Sequence, residues 1–325
     1  MRYFLIALLA AAAQAAPARA YYVPRNPHFS SSGQSPQGPE EPRQKKRAKD
    51  ALGPGRWSPR VRAAINNLIA RLGRANPRYD PKHPPAAAVP IEGFCFGSDA
   101  ALAVFVRMTD EAAFKADDGF WRVIPIAYGR RTIADAYARF SNLPSSIWSE
   151  EPEYLTYRNA FVKSYFDQCA GRGHAACREF LDKVFAGFSE PEAEAYASGA
   201  IAAARLRPLP EARTLIAALT RAGFEVWALD ADPQPSLEAE ARACGISSRR
   251  VIGIRASSAI PIREGKVADI LAVLGRDPDL VIGVSADDLD LMGYGPGLRL
   301  LIGGNKFIRE LAGKKGWLVQ PAFMP

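Results

Sequence analysis

The stretch "AAAVPIEGFCFGSDAALAVF", residues 86–105, decides the architecture. Ala86 to Ile91 form a short apolar run directly after the polar, Pro-rich "NPRYDPKHPP", which predicts a buried strand. From about residue 100 the pattern turns helical and stays so to about 205, through "AALAVFVRM", "TIADAYARF", "YLTYRNAFVKSYFDQ", "REFLDKVFAGF" and "EPEAEAYASGAIAAARL". Beyond Pro210, helices alternate with short apolar strands at "FEVWALD" (224–230), "RVIGIR" (250–255), "DLVIGVS" (279–285), "LRLLI" (298–302) and "WLVQ" (317–320). That alternation predicts an α/β fold, a doubly wound parallel sheet whose first strand is separated from the rest by a helical insert. In such sheets the ligand sits beyond the carboxyl ends of the strands, so the residues that follow each strand carry the functional reading.

Upstream, Ser58 and Pro59 open a helix whose Val61, Ile65, Leu68, Ile69 and Leu72 share one face. Folded structure is expected from about Trp57. Residues 21–56 are rich in Pro, Ser, Gly and charge and read as a flexible tether. Residues 1–20 have Arg2, an apolar run from Tyr3 to about Ala13, and small residues at Ala18 and Ala20, which is the pattern of a secretory signal cleaved after Ala20. That run is too short to span a bilayer, and no other segment is long and apolar enough. The expected organisation is therefore a signal peptide at 1–20, a tether at 21–56, a core at 57–99 and 206–325, and a helical cap at 100–205, in a secreted or periplasmic protein without a membrane span.

The 325 residues are 48% hydrophobic and 23% charged, which excludes a wholly disordered chain. The formal charge of +8 is concentrated in "PRQKKRAKD" (42–50) and the arginines just after it, a basic solvated tail and not a nucleic-acid surface. Cys169 and Cys177, in "CAGRGHAAC", are close enough to pair in an exported chain; Cys95 and Cys244 are either buried thiols or a second bridge. The three histidines, His28, His83 and His174, are scattered, which argues against a histidine metal site or a serine triad. No phosphate-binding Gly-x-x-x-x-Gly-Lys-Ser/Thr loop is present, and no cysteine has an arginine six residues on. The Trp and Phe residues at helical spacing in the insert read as packing.

Four strand ends carry a family resemblance. With "REGKVADI", "GVSADDLDLM" and the ending "GWLVQPAF", the chain resembles haloacid dehalogenase superfamily phosphatases over about residues 57–325, closest to exported phosphoserine and phosphorylcholine phosphatases with a helical cap. The resemblance implies a Rossmann-like core, an aspartate nucleophile, an acid/base aspartate two residues later, a hydroxyl residue and a lysine that hold phosphate, and carboxylates that bind magnesium. A small-molecule ligand would lie in a pocket between core and cap.

Matched to that pattern, the motifs are degenerate. Pro90 stands at the nucleophile, Glu92 at the acid/base position, Phe94 at a conserved-motif threonine, and Asp99 where a later carboxylate belongs. Pro90 has neither a nucleophilic atom nor a backbone N–H. Losing a nucleophile from a group of residues that act together costs on the order of a millionfold in turnover, about 8 kcal/mol. Asp230, followed by Asp232, replaces the phosphate-binding hydroxyl. An ionised carboxylate cannot donate to phosphate and repels it; alternatively, Asp230 simply caps the following helix. Lys266 matches the phosphate-binding lysine. In the last motif Val284 replaces the first metal aspartate, while Ser285 and Asp288 are kept. Glu92 and Asp288 are the only acids at matched metal positions, so magnesium is expected only if the site is active.

The sequence thus predicts an exported phosphatase-fold protein that is catalytically impaired or inactive. Glu92, Asp99, Asp230, Asp232 and Asp288 around Lys266 would suit a small cation or amine. The other reading is a metal-dependent phosphomonoesterase working through a displaced carboxylate, Glu92 or Asp99.

Overall fold

Residues Ala86–Val89 form strand β1, buried at every position. On one side β1 pairs with β2 (Glu225–Pro233), which pairs with β3 (Val251–Ile254); on the other side it pairs with β4 (Leu280–Gly283), followed by β5 (Leu298–Ile302) and β6 (Leu318–Gln320). All pairings are parallel and the order is β3-β2-β1-β4-β5-β6. The chain leaves β1 to build first one half of the sheet and then the other, so the carboxyl end of β1 is the switch point where such folds bind ligands. The fold class expected from the sequence is therefore present.

This computed structural model describes residues 50–97, 99–115, 119–172, 180–181, 183–254 and 265–323. The expected signal segment, the tether up to residue 49 and the Cys169–Cys177 pairing lie outside the described residues. The described residues belong to one compact unit.

Helix α1 (Pro59–Leu72) buries Val61, Ile65 and Leu68 against the core, with Pro at its start. Ser58 has the extended backbone of an N-cap, but its side chain caps nothing; its N–H donates to Oε1 of Gln320 over 2.8 Å. Order begins before Trp57, because the segment ahead of it has specific partners. Leu52 is buried, Asp50 Oδ2 accepts from Arg62 Nε over 2.9 Å, and Arg56 Nε meets Glu211 Oε1 at 3.0 Å.

The long crossover from β1 to β2 contains α2 (Ala100–Asp110), α3 (Arg130–Phe140), α4 (Pro152–Arg172), α5 (Glu190–Ala203) and α6 (Pro210–Arg221). Its aromatic residues pack inward: Phe105 and Phe161 have ring centroids 5.4 Å apart, and Tyr157 stacks on Phe161 at 5.7 Å. These rings belong to the same continuous apolar cluster as Val89, Ile91, Phe94, Val226 and Leu280 of the sheet side. The insert and the sheet therefore share one core, and burial of this aromatic surface holds the crossover onto the sheet.

After β2 come α7 (Gln234–Cys244), β3, α8 (Gly265–Leu274), β4, the short α9 (Leu289–Gly293), β5, α10 (Lys306–Lys314) and β6. Cys95, just beyond β1, and Cys244, at the end of α7, form a disulfide with Cα atoms 6.3 Å apart. This is the second of the two possibilities left open by the sequence. Closing a loop of that length removes about 5 kcal/mol of unfolded-chain entropy by the usual loop model. The bridge fixes the loop after β1, the one that contains Pro90 and Glu92, against the helix after β2.

Candidate functional site

Strand β1 ends at Val89, and Pro90 and Ile91 remain buried as the chain turns. Gly93 adopts φ +72°, a conformation that favours glycine, and a Cβ there would lie 3.2 Å from Val284. The loops after β1 and β4 thus meet closely. At Gly283 a Cβ would collide with the side chain of Met292, so this glycine lets α9 pack against the end of β4. Phe94 is fully buried and is part of the apolar core.

Asp230 lies inside β2, which runs on to Pro233, so it does not cap the next helix. Its Oδ2 accepts from the backbone N–H groups of Ile91 and Glu92, each at 3.1 Å. Its Oδ1 accepts from the N–H of Ala231 at 3.0 Å and from Nζ of Lys266 at 3.5 Å. The carboxylate is held by donors arriving from the loop after β1, from β2 and from α8.

Lys266, in the first turn of α8, donates from Nζ to Oδ1 of Asp288 over 2.6 Å. The other oxygen of Asp288 accepts from the N–H groups of Val284 at 2.8 Å and Ser285 at 3.1 Å, and from Ser285 Oγ at 3.4 Å. Exposure of these side chains is 12% for Lys266, 11% for Asp230 and 1% for Asp288. Burial works against the Lys266 ammonium, but the charges of Asp230 and Asp288 outweigh it and hold its pKa above the ordinary lysine value.

Pro90, Glu92, Asp230, Lys266, Ser285 and Asp288 all line one cavity of about 600 Å³, together with the glycines and small apolar residues after β5. Among the described residues, its lining comes from the strand ends and from α8 and α10, with none from the insert. Asp99 is elsewhere: its Oδ1 accepts from the N–H of Leu102 at 2.7 Å, capping α2, and it lines a separate cavity beside Arg107 and Ala200. Asp232 is buried and does not line the cavity.

One acid escaped the sequence reading. Glu240 on α7 is buried to 1% exposure, and its Oε1 has no hydrogen-bond partner among the described residues. Burial pushes its carboxyl pKa well above the ordinary value, and the nearby charges of Asp232, Asp230, Asp99 and Glu92 push it the same way. The signal was its spacing: Glu240 stands three residues after Leu237 and four before Cys244, on the buried stripe of α7. The two backbone donors at Ile91 and Glu92 had no such signal, because main-chain N–H groups belong to every residue type.

The donor set does not fit a magnesium ion. Asp288 is saturated by an ammonium and two backbone N–H groups, and Asp230 by an ammonium and three, so the cationic position is filled by Lys266. No group of three His, Cys, Asp or Glu among the described residues could hold a metal. A magnesium ion here would need to displace an internal ion pair.

The family model for haloacid dehalogenase-like hydrolases matches residues 131–292, from α3 of the insert into α9. The match begins beyond β1. The sheet order and this match agree on a haloacid dehalogenase-like fold. A conserved protein of unknown function from Anaerococcus prevotii DSM 20548 is similar in structure, with TM-score 0.71 and 19% identity over 84% of this chain and 94% of that one. A protein of unknown function from Bordetella pertussis Tohama I gives TM-score 0.48 and 16% identity over 73% and 98% of the two chains. Cytosolic 5'-nucleotidase IIIB bound to cytidine gives TM-score 0.39 and 13% identity over 81% and 86%. The first likeness is one of fold alone, and the other two carry no weight here. No curated protein matches the chain.

Proposed function

We propose that this chain is an exported, non-hydrolytic member of the superfamily, descended from the phosphoserine and phosphorylcholine phosphatase group, that binds a small organic cation. The observation that carries the loss of catalysis is the Asp230 carboxylate, which accepts both N–H groups that follow Pro90. A phosphoryl group brought to the end of β1 would meet that negative charge and no nucleophile. A like charge about 4 Å away costs on the order of 4 kcal/mol at an effective dielectric of 20.

Support for a cationic ligand comes from the cavity lining, where Glu92, Asp230, Asp287 and Asp288 face one ammonium, Lys266, among the described residues. Pro90, Val284, Ile302 and Ile308 add apolar wall, which suits a methylated or alkyl amine. Export fits the Cys95–Cys244 bridge, since disulfides persist in oxidising compartments, and no described helix is long and apolar enough to cross a membrane.

The test is a thermal melt of the protein, begun at Tyr21, with choline, ethanolamine and diamines, beside magnesium-dependent hydrolysis of an aryl phosphate and of phosphorylcholine. The expected result is a raised melting temperature with at least one amine, diminished by Glu92→Gln, and no hydrolysis above buffer. Hydrolysis that needs magnesium and vanishes with Glu92→Gln would establish the displaced-carboxylate reading instead. Asp99 is a weaker candidate for that role because it caps α2.

A further inference from the structure

A second groove, of about 760 Å³, runs between α6 and the end of α7 and shares no lining residue with the strand-end cavity. Its charged lining is arginine alone: Arg213 and Arg221 on α6 and Arg242 on α7, with no Asp or Glu among the described residues that form it. All three arginines are exposed. Arg242 is paired with Glu194 of α5, whereas Arg213 and Arg221 have no ion-pair partner among the described residues. Between the charges the wall is small and apolar, made by Pro210, Ile216 and Ala217 on one side and Ala243 on the other. Cys244, buried at the α7 side, is bonded to Cys95, which fixes that wall to the loop after β1. The groove is therefore held in shape before anything binds. The carbonyls of Ala241 and Arg242 already accept from the N–H groups of Ile246 and Gly245, so the negative end of α7 is partly capped where it meets the groove.

We infer that this groove binds an extended acidic segment of a protein partner. Arg213 and Arg221 are two turns apart on one helix, about 12 Å along its axis. Carboxylates four residues apart on one face of an extended chain are separated by about 13 Å. Two such side chains meet the two guanidinium groups, each in a charge-assisted fork, while the residue between them faces the apolar wall. Nucleic acid fits less well, because no aromatic ring lines the groove for bases to stack on. A membrane surface is flat and would not enter it. The inference concerns a different part of the molecule from the proposed cation site and does not depend on it.

The probe is a peptide with blocked ends that has two glutamates four positions apart and valine, alanine and valine between them, titrated by calorimetry at constant ionic strength into the protein begun at Tyr21. The variants are Arg213→Gln, Arg213→Gln/Arg221→Gln and Ala217→Trp, the last of which obstructs the groove without changing its charge. Both arginines are exposed, so replacing them leaves the fold in place. Affinity should fall about fivefold for each arginine lost and should vanish with Ala217→Trp, and a peptide with glutamines for glutamates should not bind. Undiminished binding by the double variant, or by a folded Ala217→Trp protein, would overturn the inference, as would equal binding of the glutamine peptide or no saturable binding at millimolar peptide. Binding lost instead on neutralising Lys45, Lys46 and Lys49 would overturn it too, by assigning the peptide to the basic run. Single-stranded DNA or anionic vesicles that bind through Arg213 and Arg221 when the peptide does not would put that partner in its place. Any amine effect at the strand-end cavity should be the same in the double variant, so failure here and failure of the cation reading can be told apart.

Discussion

Nζ of Lys266 and Oδ1 of Asp288 are 2.6 Å apart, with the carboxylate almost wholly withdrawn from water. A buried pair of this kind is a weak source of net stability when intact, but removing one partner strands the other charge. Lys266→Met should therefore destabilise the fold by about 3–5 kcal/mol, read from the urea midpoint at neutral pH. An unchanged midpoint would mean that Asp288 and Asp230 find other compensation. The same pair sets a limit on alkaline stability. The folded pKa of Lys266 is raised above the ordinary 10.5, so its contribution is complete below that pH and is lost as pH climbs through the folded value. Wild type should lose stability above about pH 10.5 more steeply than Lys266→Met.

Glu240 works in the opposite region of the pH scale. Its folded pKa is raised above the ordinary 4.5, so the folded protein holds a proton that the unfolded chain releases. Stability must then fall as pH rises from about 4.5 toward the folded value, by about 1 kcal/mol for each pH unit. Glu240→Gln keeps the shape and removes the titration. It should flatten the profile and make the protein more stable than wild type at pH 7, measured by urea melts from pH 4 to 8. Equal slopes for the two proteins would show that Glu240 is ionised in the fold and compensated from elsewhere.

Much of the fold was legible because the strands are short apolar runs between helices of clear periodicity. All six predicted strand runs contain an observed strand. The end of β2 was misread by three residues, and the consequence was chemical: with the strand continuing to Pro233, Asp230 points its oxygens at the β1 loop and caps no helix. Pro90, Glu92, Asp230, Lys266, Ser285 and Asp288 line one cavity, because the ends of β1, β2 and β4 and the start of α8 lie at the same edge of the sheet. Linear motif matching did not separate Asp99 from that group, since spacing along the chain cannot tell a helix cap from a cavity wall. It gathered Asp230 and Asp288 around Lys266, but not the backbone N–H groups of Ile91 and Glu92 that share the Asp230 carboxylate, because those bonds join residues far apart in sequence. The specific contacts of residues 50–56 were hidden for a similar reason: Arg56 is held by Glu211 and by Gln320, whose Nε2 donates to the Arg56 carbonyl over 3.1 Å.

In the proposed non-hydrolytic reading, Pro90 at the nucleophile position and the carboxylate of Asp230 are separate obstacles, and a substitution series distinguishes them. Pro90→Asp places a carboxylate at the end of β1, yet Asp230 still takes the Ile91 and Glu92 N–H groups that an incoming phosphoryl oxygen would need. Two carboxylates would then share that corner, each raising the cost of ionising the other. Magnesium-dependent aryl phosphate hydrolysis by Pro90→Asp should remain at the buffer rate, whereas Pro90→Asp/Asp230→Thr/Val284→Asp should rise above it. Phe94 is best left alone: it is fully buried, and Phe94→Thr would empty core volume at a cost of about 3–5 kcal/mol. Turnover by Pro90→Asp alone would show that the nucleophile was the sole defect and that Asp230 yields its place to substrate. A silent triple variant that still folds would place the barrier in metal binding, where Lys266 still engages Asp288.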